Sequence, residues 1–224
     1  MNATLSQMVQ IPADAGVLEG MLELPANARG VVLFAHGSGS SRMSPRNNFV
    51  AENLREGGVG TLLVDLLLAA EEAVYETRFD IPLLTRRLAT VAAWIAESRA
   101  ASDLPLGLFG ASTGAAAAIR LAASERPNIA AVVSRGGRPD LAGSSALQGL
   151  RAPTLFIVGA DDHGVIELNR AAYQELRCQK ELELIPGATH LFEEPGTLAR
   201  AAQLARRWFE RHLHADVRTF AFAR

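Results

Sequence analysis

Short, nearly continuous apolar runs alternate along this chain with longer stretches whose apolar residues recur every three to four positions. Residues 6–11 and 17–24, rich in Val, Leu, Met and Ile, flank Pro12-Ala13-Asp14-Ala15-Gly16, which predicts a β-hairpin. The run 30–35 is apolar throughout, the mark of a strand covered on both faces. Residues 46–57 then read as a helix stopped by Gly57-Gly58, and 59–66 as a second buried strand. Residues 67–80 carry little pattern, whereas 81–99 places Leu83, Leu84, Leu88, Val91, Ala92 and Ile95 at helical spacing. The same alternation continues with a strand from 104, a helix over 112–125, strands at 129–133 and 153–158, a helix over 165–176, a strand at 180–185 and a helix over 197–212. Residues 215–224 are mixed and receive no assignment.

A hairpin followed by alternating strands and helices predicts an α/β fold. It has a mostly parallel sheet, an N-terminal antiparallel hairpin and helices on both faces. No Pro/Gly/Ser-rich linker divides the 224 residues, so a single domain over 1–224 is expected. In such sheets ligands bind beyond the carboxyl ends of the strands. His36, Asp65, Ser112, Ser134, Asp162 and His190 all fall at or just after those ends, so they are expected on one rim.

Composition removes several classes of function. A net charge of −2 without a basic cluster argues against a nucleic-acid partner. One cysteine, Cys178, excludes an intrachain disulfide and a cysteine metal cluster, and no H-E-x-x-H spacing occurs, so no metal is expected. No apolar run reaches membrane-spanning length, and MNATLSQMVQIPADAG lacks the regions of a secretory signal. A cytoplasmic protein without a membrane partner is the resulting expectation, with a homo-oligomer left open.

The chemistry concentrates at Gly110-Ala111-Ser112-Thr113-Gly114, a G-x-S-x-G between a predicted strand and a helix. In that context the serine stands at the apex of a sharp turn with its hydroxyl thrust out of the sheet. A serine hydroxyl needs a base, and the base needs an orienting acid. Of five histidines, His212 and His214 lie at a helix end, His36 shapes a loop and His163 follows two aspartates. His190, in the loop after the last strand, is the expected base. Asp161 and Asp162 follow the 153–158 strand; adjacent loop side chains diverge, and Asp162 is preferred as the acid. The N–H groups of Thr113 and Ser38 are the expected oxyanion donors, with Gly39 next in line.

A dinucleotide fingerprint in the loop Gly37-Ser38-Gly39-Ser40-Ser41-Arg42 is the weaker reading, because Arg42 stands where the third glycine belongs. No phosphate-binding G-x-x-x-x-G-K-[ST] is present, and no cofactor is expected.

The segments VLFAHGSGSSRMSPRNNFVA, GASTGAAAA, VVSRGGRPDL, LFIVGADDHGVI and IPGATHLFEEPG resemble the α/β-hydrolase superfamily, and within it the dienelactone-hydrolase-like group of nearly capless members. The resemblance implies an α/β-hydrolase fold with little or no cap, and a Ser112–Asp162–His190 triad that forms an acyl-enzyme on a small-molecule ester. It has one departure. Dienelactone hydrolases proper look like G-x-C-x-G enzymes, and here the position is Ser112, which favours general carboxylesterase activity over lactone specificity. Acyl transfer or perhydrolysis at the same triad, and a non-catalytic binding module, are the alternatives. Arg42, Arg46, Arg135 and Arg138 fall in predicted loops near the rim. They either hold a substrate carboxylate or phosphate, as Gly39 would assist, or pair with Asp65, Asp80, Asp140, Glu193 and Glu194 to fix the loops.

Overall fold

The computed structural model describes residues 5–14 and 16–213; His214 and the unassigned segment 215–224 lie outside them. Eight strands form one sheet in the order β1-β2-β4-β3-β5-β6-β7-β8. They are β1 (Leu5–Ala13), β2 (Gly16–Leu24), β3 (Val31–Ala35), β4 (Gly60–Val64), β5 (Leu106–Ala111), β6 (Ile129–Arg135), β7 (Thr154–Gly159) and β8 (Lys180–Ile185). The β1–β2 and β2–β4 pairs are antiparallel and all others parallel. The helices are α1 (Pro45–Glu56), α2 (Ala69–Glu72), α3 (Ile81–Glu97), α4 (Thr113–Ala122), α5 (Ser144–Gly149), α6 (His163–Glu175) and α7 (Thr197–His212).

Strand alternation divides the apolar residues between two cores. Val31, Leu33 and Ala35 face one side with α3 and α4; Val32 and Phe34 face the other with α1 and α7. The run of Ala115–Ala118 is fully buried, and its small side chains let α4 lie close against the sheet. On the opposite face Val50, Leu54, Trp208 and Phe209 close the layer. The parallel strands are thus covered on both sides, which is why they read as unbroken apolar runs.

Many element boundaries shift by one to three residues from the sequence reading, and two of the shifts matter most. The hairpin strands run inward as far as Ala13 and Gly16, with Pro12 opposite Val17. Pro12 is tolerated because β1 is an edge strand. More consequentially, β6 continues two residues past Val133. Ser134 and Arg135 pair with Phe156 and Ile157 of β7, so neither lies in a loop. Their polarity hides a strand whose register is set by its neighbours. The short helix α5 and two single 3-10 turns, Glu76–Phe79 and Pro139–Ala142, also carry no periodic signal.

The unpatterned segment 67–80 folds as α2 and one of those 3-10 turns. It is tied down by Arg87 of α3, which is 1% exposed and ion-paired at 2.7 Å to both Glu71 and Asp14. Among the described residues no helix is long and apolar enough to cross a membrane.

Candidate active site

At the end of β5 the chain turns directly into α4, and Ser112 occupies the corner with φ 50° and ψ −122°. A non-glycine residue at positive φ is strained and persists only where its surroundings impose it. The neighbours here do impose it. A Cβ on Gly110 would lie 2.4 Å from the Cα of Ala115, and one on Gly114 would lie 2.1 Å from the carbonyl oxygen of Ala35. The β3 loop presses from above, since a Cβ on Gly37 would come within 3.0 Å of the Ser112 Cβ. Ser112 stands at the N-cap of α4 without using its side chain as a cap, so the hydroxyl is left for other work.

The loops after β7 and β8 are laced together. The N–H of Asp161 donates to the carbonyl of Ala188 at 3.0 Å and the N–H of Ala160 to that of Ile185 at 2.9 Å. Gly159 permits this approach, because a Cβ there would lie 2.3 Å from the Ala188 oxygen. The lacing brings Asp162 Oδ2 to 2.7 Å from His190 Nδ1. Asp162 is the N-cap residue of α6, where an aspartate ordinarily accepts from the helix backbone. It makes no such bond, and its carboxylate is spent on the imidazole instead. Asp161 is exposed. A second lock closes the His190 loop: Thr189 Oγ1 donates to Glu194 Oε1 at 2.5 Å, which holds that carboxyl below its usual range. Among the described residues no hydrogen bond joins the Ser112 hydroxyl to the imidazole. Such contacts are often long without substrate.

The Ser38 N–H donates to Thr113 Oγ1 at 3.0 Å, which ties the β3 loop to the elbow. His36 is buried; its Nε2 accepts from the Leu66 N–H at 3.1 Å and its Nδ1 lies 3.0 Å from the Gly37 oxygen. Those contacts leave the proton on Nδ1, and the ring shapes the loop. Gly39 sits exposed at the crest with φ 67°.

The rim expected from the sequence is only partly assembled. Ser112, Asp162 and His190 come from three strand ends to one side. Ser134 is fully buried, with its oxygen packed where Gly137 has no side chain, so it does not face the rim. Asp65 is consumed by Arg42, which also reaches Glu19 at 2.6 Å. Arg138 is paired with Asp140 at 2.7 Å, a contact that raises its pKa further, and Arg46 with Glu193 at 2.8 Å. Arg135 differs: it is 8% exposed and has no ion-pair partner among the described residues. Asn47 and Phe192, which touch it, were not expected at the site. Nothing in a helical first turn or an isolated Phe announces such contacts.

Beside the β3 loop a cavity of about 440 Å³ is lined by Leu18, Glu19, His36, Ser41, Arg42 and Leu67 among others. None of Ser112, Asp162 and His190 borders it. Cys178 lies before β8, at the amino end of the sheet, with its thiol pushed up by burial, so it does not stand in for Ser112.

The profile of an alpha/beta hydrolase domain matches residues 28–207. The chain belongs to the alpha/beta hydrolase family. Its strand order, elbow and loop positions are those of that fold, as the sequence resemblance implied. A dienelactone hydrolase from Anabaena variabilis is 48% identical, with a TM-score of 0.91 over 94% of this chain and 99% of that one. The esterase Est1E from Butyrivibrio proteoclasticus shares the fold at 17% identity, TM-score 0.77, over 91% of this chain and 98% of that one. Two Mycobacterium tuberculosis proteins, provisionally named phosphoribosyl transferases, are 53% identical over 205 residues, 92% of this chain. The chain spans 46% of their length, less than half.

Proposed function

We propose that this chain is a serine hydrolase that cleaves carboxylic esters of small molecules through an acyl-enzyme on Ser112. The observation that carries the reading is the 2.7 Å contact between Asp162 and His190, made across two laced loops beside a strained serine elbow. Asp162 holds the Nδ1–H, which leaves Nε2 as the acceptor for the Ser112 proton. The serine oxygen attacks the ester carbonyl, and the oxyanion is received by the N–H groups of Thr113 and Ser38. The Ser38 N–H donates to Thr113 Oγ1 at 3.0 Å, and turns from that hydroxyl to the oxyanion as the oxyanion forms. His190 passes its proton to the leaving alcohol, and water, activated by the same imidazole, releases the acid.

The relative from Anabaena variabilis is named a dienelactone hydrolase, and a lactone is a cyclic ester opened by the same steps. Lactones therefore belong in the substrate panel beside open-chain esters. The phosphoribosyl transferase name belongs to proteins more than twice the length of the shared segment, and that segment here carries the serine elbow.

The reading is tested with a fluorophosphonate, which reacts with an activated serine. Mass spectrometry of the labelled protein should place the adduct on Ser112; an adduct elsewhere, or none, rejects it. Asp162→Asn should lower kcat for p-nitrophenyl acetate by about 10⁴-fold, because the amide stabilises the wrong imidazole tautomer. A loss under about tenfold would remove Asp162 from the proposed mechanism.

A further inference from the structure

We infer that Asn169 is a positioning residue for the triad: from α6 it fixes the loop after β6 that grips the Ser112 backbone and lies against His190. The inference rests on the hydrolase reading above and adds to that machinery a residue outside the triad.

The loop over 135–138 is where the three triad members meet. The Ser112 N–H donates to the Arg135 carbonyl at 3.3 Å, and the Arg138 N–H donates to the Ser112 carbonyl at 3.0 Å. Both backbone groups of the nucleophile are thus held by one short segment. Between these two contacts Gly136 turns with φ 51°. A Cβ there would lie 3.2 Å from the His190 oxygen and 3.7 Å from His190 Cε1, so the base is set against the same loop. The Gly136 N–H donates to the Ile157 carbonyl of β7 at 2.8 Å, which ties the start of the loop to the sheet. Its far half lies past the end of β6 and needs another anchor.

Asn169 supplies that anchor. It stands on α6, two turns beyond Asp162. Its Nδ2 donates to the Gly137 carbonyl at 2.9 Å and to the Val165 carbonyl at 2.8 Å. The second bond fixes the side chain on its own helix; the first crosses to the loop. The Gly137 carbonyl and the Arg138 N–H belong to one planar peptide and point in opposite directions. Asn169 holds one end of that plane and Ser112 the other. A shift at the Gly137 oxygen is therefore passed rigidly to the nucleophile. On the helix side, the Asp162 carbonyl accepts from the Val165 and Ile166 N–H groups at 3.1 and 3.0 Å. One amide joins the helix that starts at the acid to the loop that holds the nucleophile and borders the base.

Packing alone does not call for an asparagine here. Asn169 is fully buried, and its Oδ1 has no partner among the described residues. An unmet buried polar atom is destabilising, and an apolar side chain of similar size would avoid it. What the amide adds is its grip on the Gly137 peptide. The loop comes this close because residue 137 is glycine: a Cβ there would lie 1.9 Å from Ser134 Oγ and 2.6 Å from the Ala115 Cβ.

The test uses two substitutions. Asn169→Leu roughly keeps the volume and removes both bonds. Asn169→Thr keeps a hydroxyl that can donate to the Val165 carbonyl one turn back, but its oxygen is a bond too short to hold Gly137. Hydrolysis of p-nitrophenyl acetate and labelling by a fluorophosphonate are followed well below each variant's own Tm, where the whole population is folded. Both variants should lose about 10²-fold in kcat, the effect of a misplacement of about 1 Å, with KM within about twofold of wild type. Labelling of Ser112 should slow in parallel. A merely structural asparagine would lower the Tm and leave the folded protein turning over at the wild-type rate. Should Asn169→Leu not fold, Asn169→Thr decides alone.

Wild-type kcat in both variants overturns the inference and leaves the hydrolase reading standing. Wild-type kcat in Asn169→Thr with a loss in Asn169→Leu also overturns it, because the bond within α6 would then be the one that matters. A wild type that neither hydrolyses the ester nor takes the label overturns the hydrolase reading, and this inference falls with it.

Discussion

Ser112→Ala is expected to lower kcat for p-nitrophenyl acetate by at least about 10⁴-fold, leaving only the rate that binding and the oxyanion donors provide. The removed atom is the nucleophile, so His190 and Asp162 have no proton to move and their effects vanish with it. The substitution takes away one oxygen and keeps the Cβ, which lies so near Gly37 that a methyl on that glycine would come within 3.0 Å of it. The elbow should therefore fold as before, and the melting temperature should stay near that of the wild type. That combination separates loss of chemistry from loss of structure. It is checked by steady-state hydrolysis and a melting curve on the same preparation. A variant retaining more than about one tenth of the wild-type rate would reject the serine mechanism.

Gly114→Ala should damage both rate and stability. The added methyl would lie 2.1 Å from the Ala35 oxygen and 2.5 Å from the His36 oxygen, both backbone atoms at the end of β3. Backbone cannot swing aside as a flexible side chain does, so α4 or β3 must move as a whole. Overpacking of this kind costs about 3 kcal/mol, which for a chain of this size lowers the Tm by about 6–12 °C. Any retreat of α4 carries Ser112 and the Thr113 N–H with it, and a misplacement of about 1 Å costs about 10²-fold in rate. Melting curves and p-nitrophenyl acetate kinetics read the two effects. A wild-type Tm with wild-type kcat would show that the elbow does not need the close approach.

Much of this architecture is readable before any coordinates. Buried parallel strands such as 31–35 and 154–159 are apolar on both faces, so they stand out as runs. The last helix, Thr197–His212, is observed with the bounds its periodicity predicts, because one face packs on the sheet and the other meets water. The lettering fails where tertiary contacts overrule local preference. Ser134 and Arg135 are polar and look like loop, yet β5 and β7 on either side extend the ladder through them. Four arginines near the rim looked equivalent. Three found carboxylates: Arg42 from β2 and the β4 end, Arg46 from the His190 loop, and Arg138 from its own turn. No rule of spacing foretells which arginine is left out.

The same division runs through the site itself. G-x-S-x-G between an apolar run and an Ala-rich helix determines the elbow from sequence alone, because the turn requires small residues at fixed offsets and the chain supplies them locally. Strand periodicity likewise determines that the loops bearing Asp162 and His190 leave the sheet at the same edge. Only the tertiary structure decided that Asp162, and not Asp161, turns to the imidazole. That choice depends on the Asp161 N–H being taken by Ala188, a residue of the neighbouring loop. Only the tertiary structure, too, left Arg135 buried beside another cation, Arg46. Pairing of charges is settled by what distant segments bring within a few ångströms, and such proximity is a property of the packed chain.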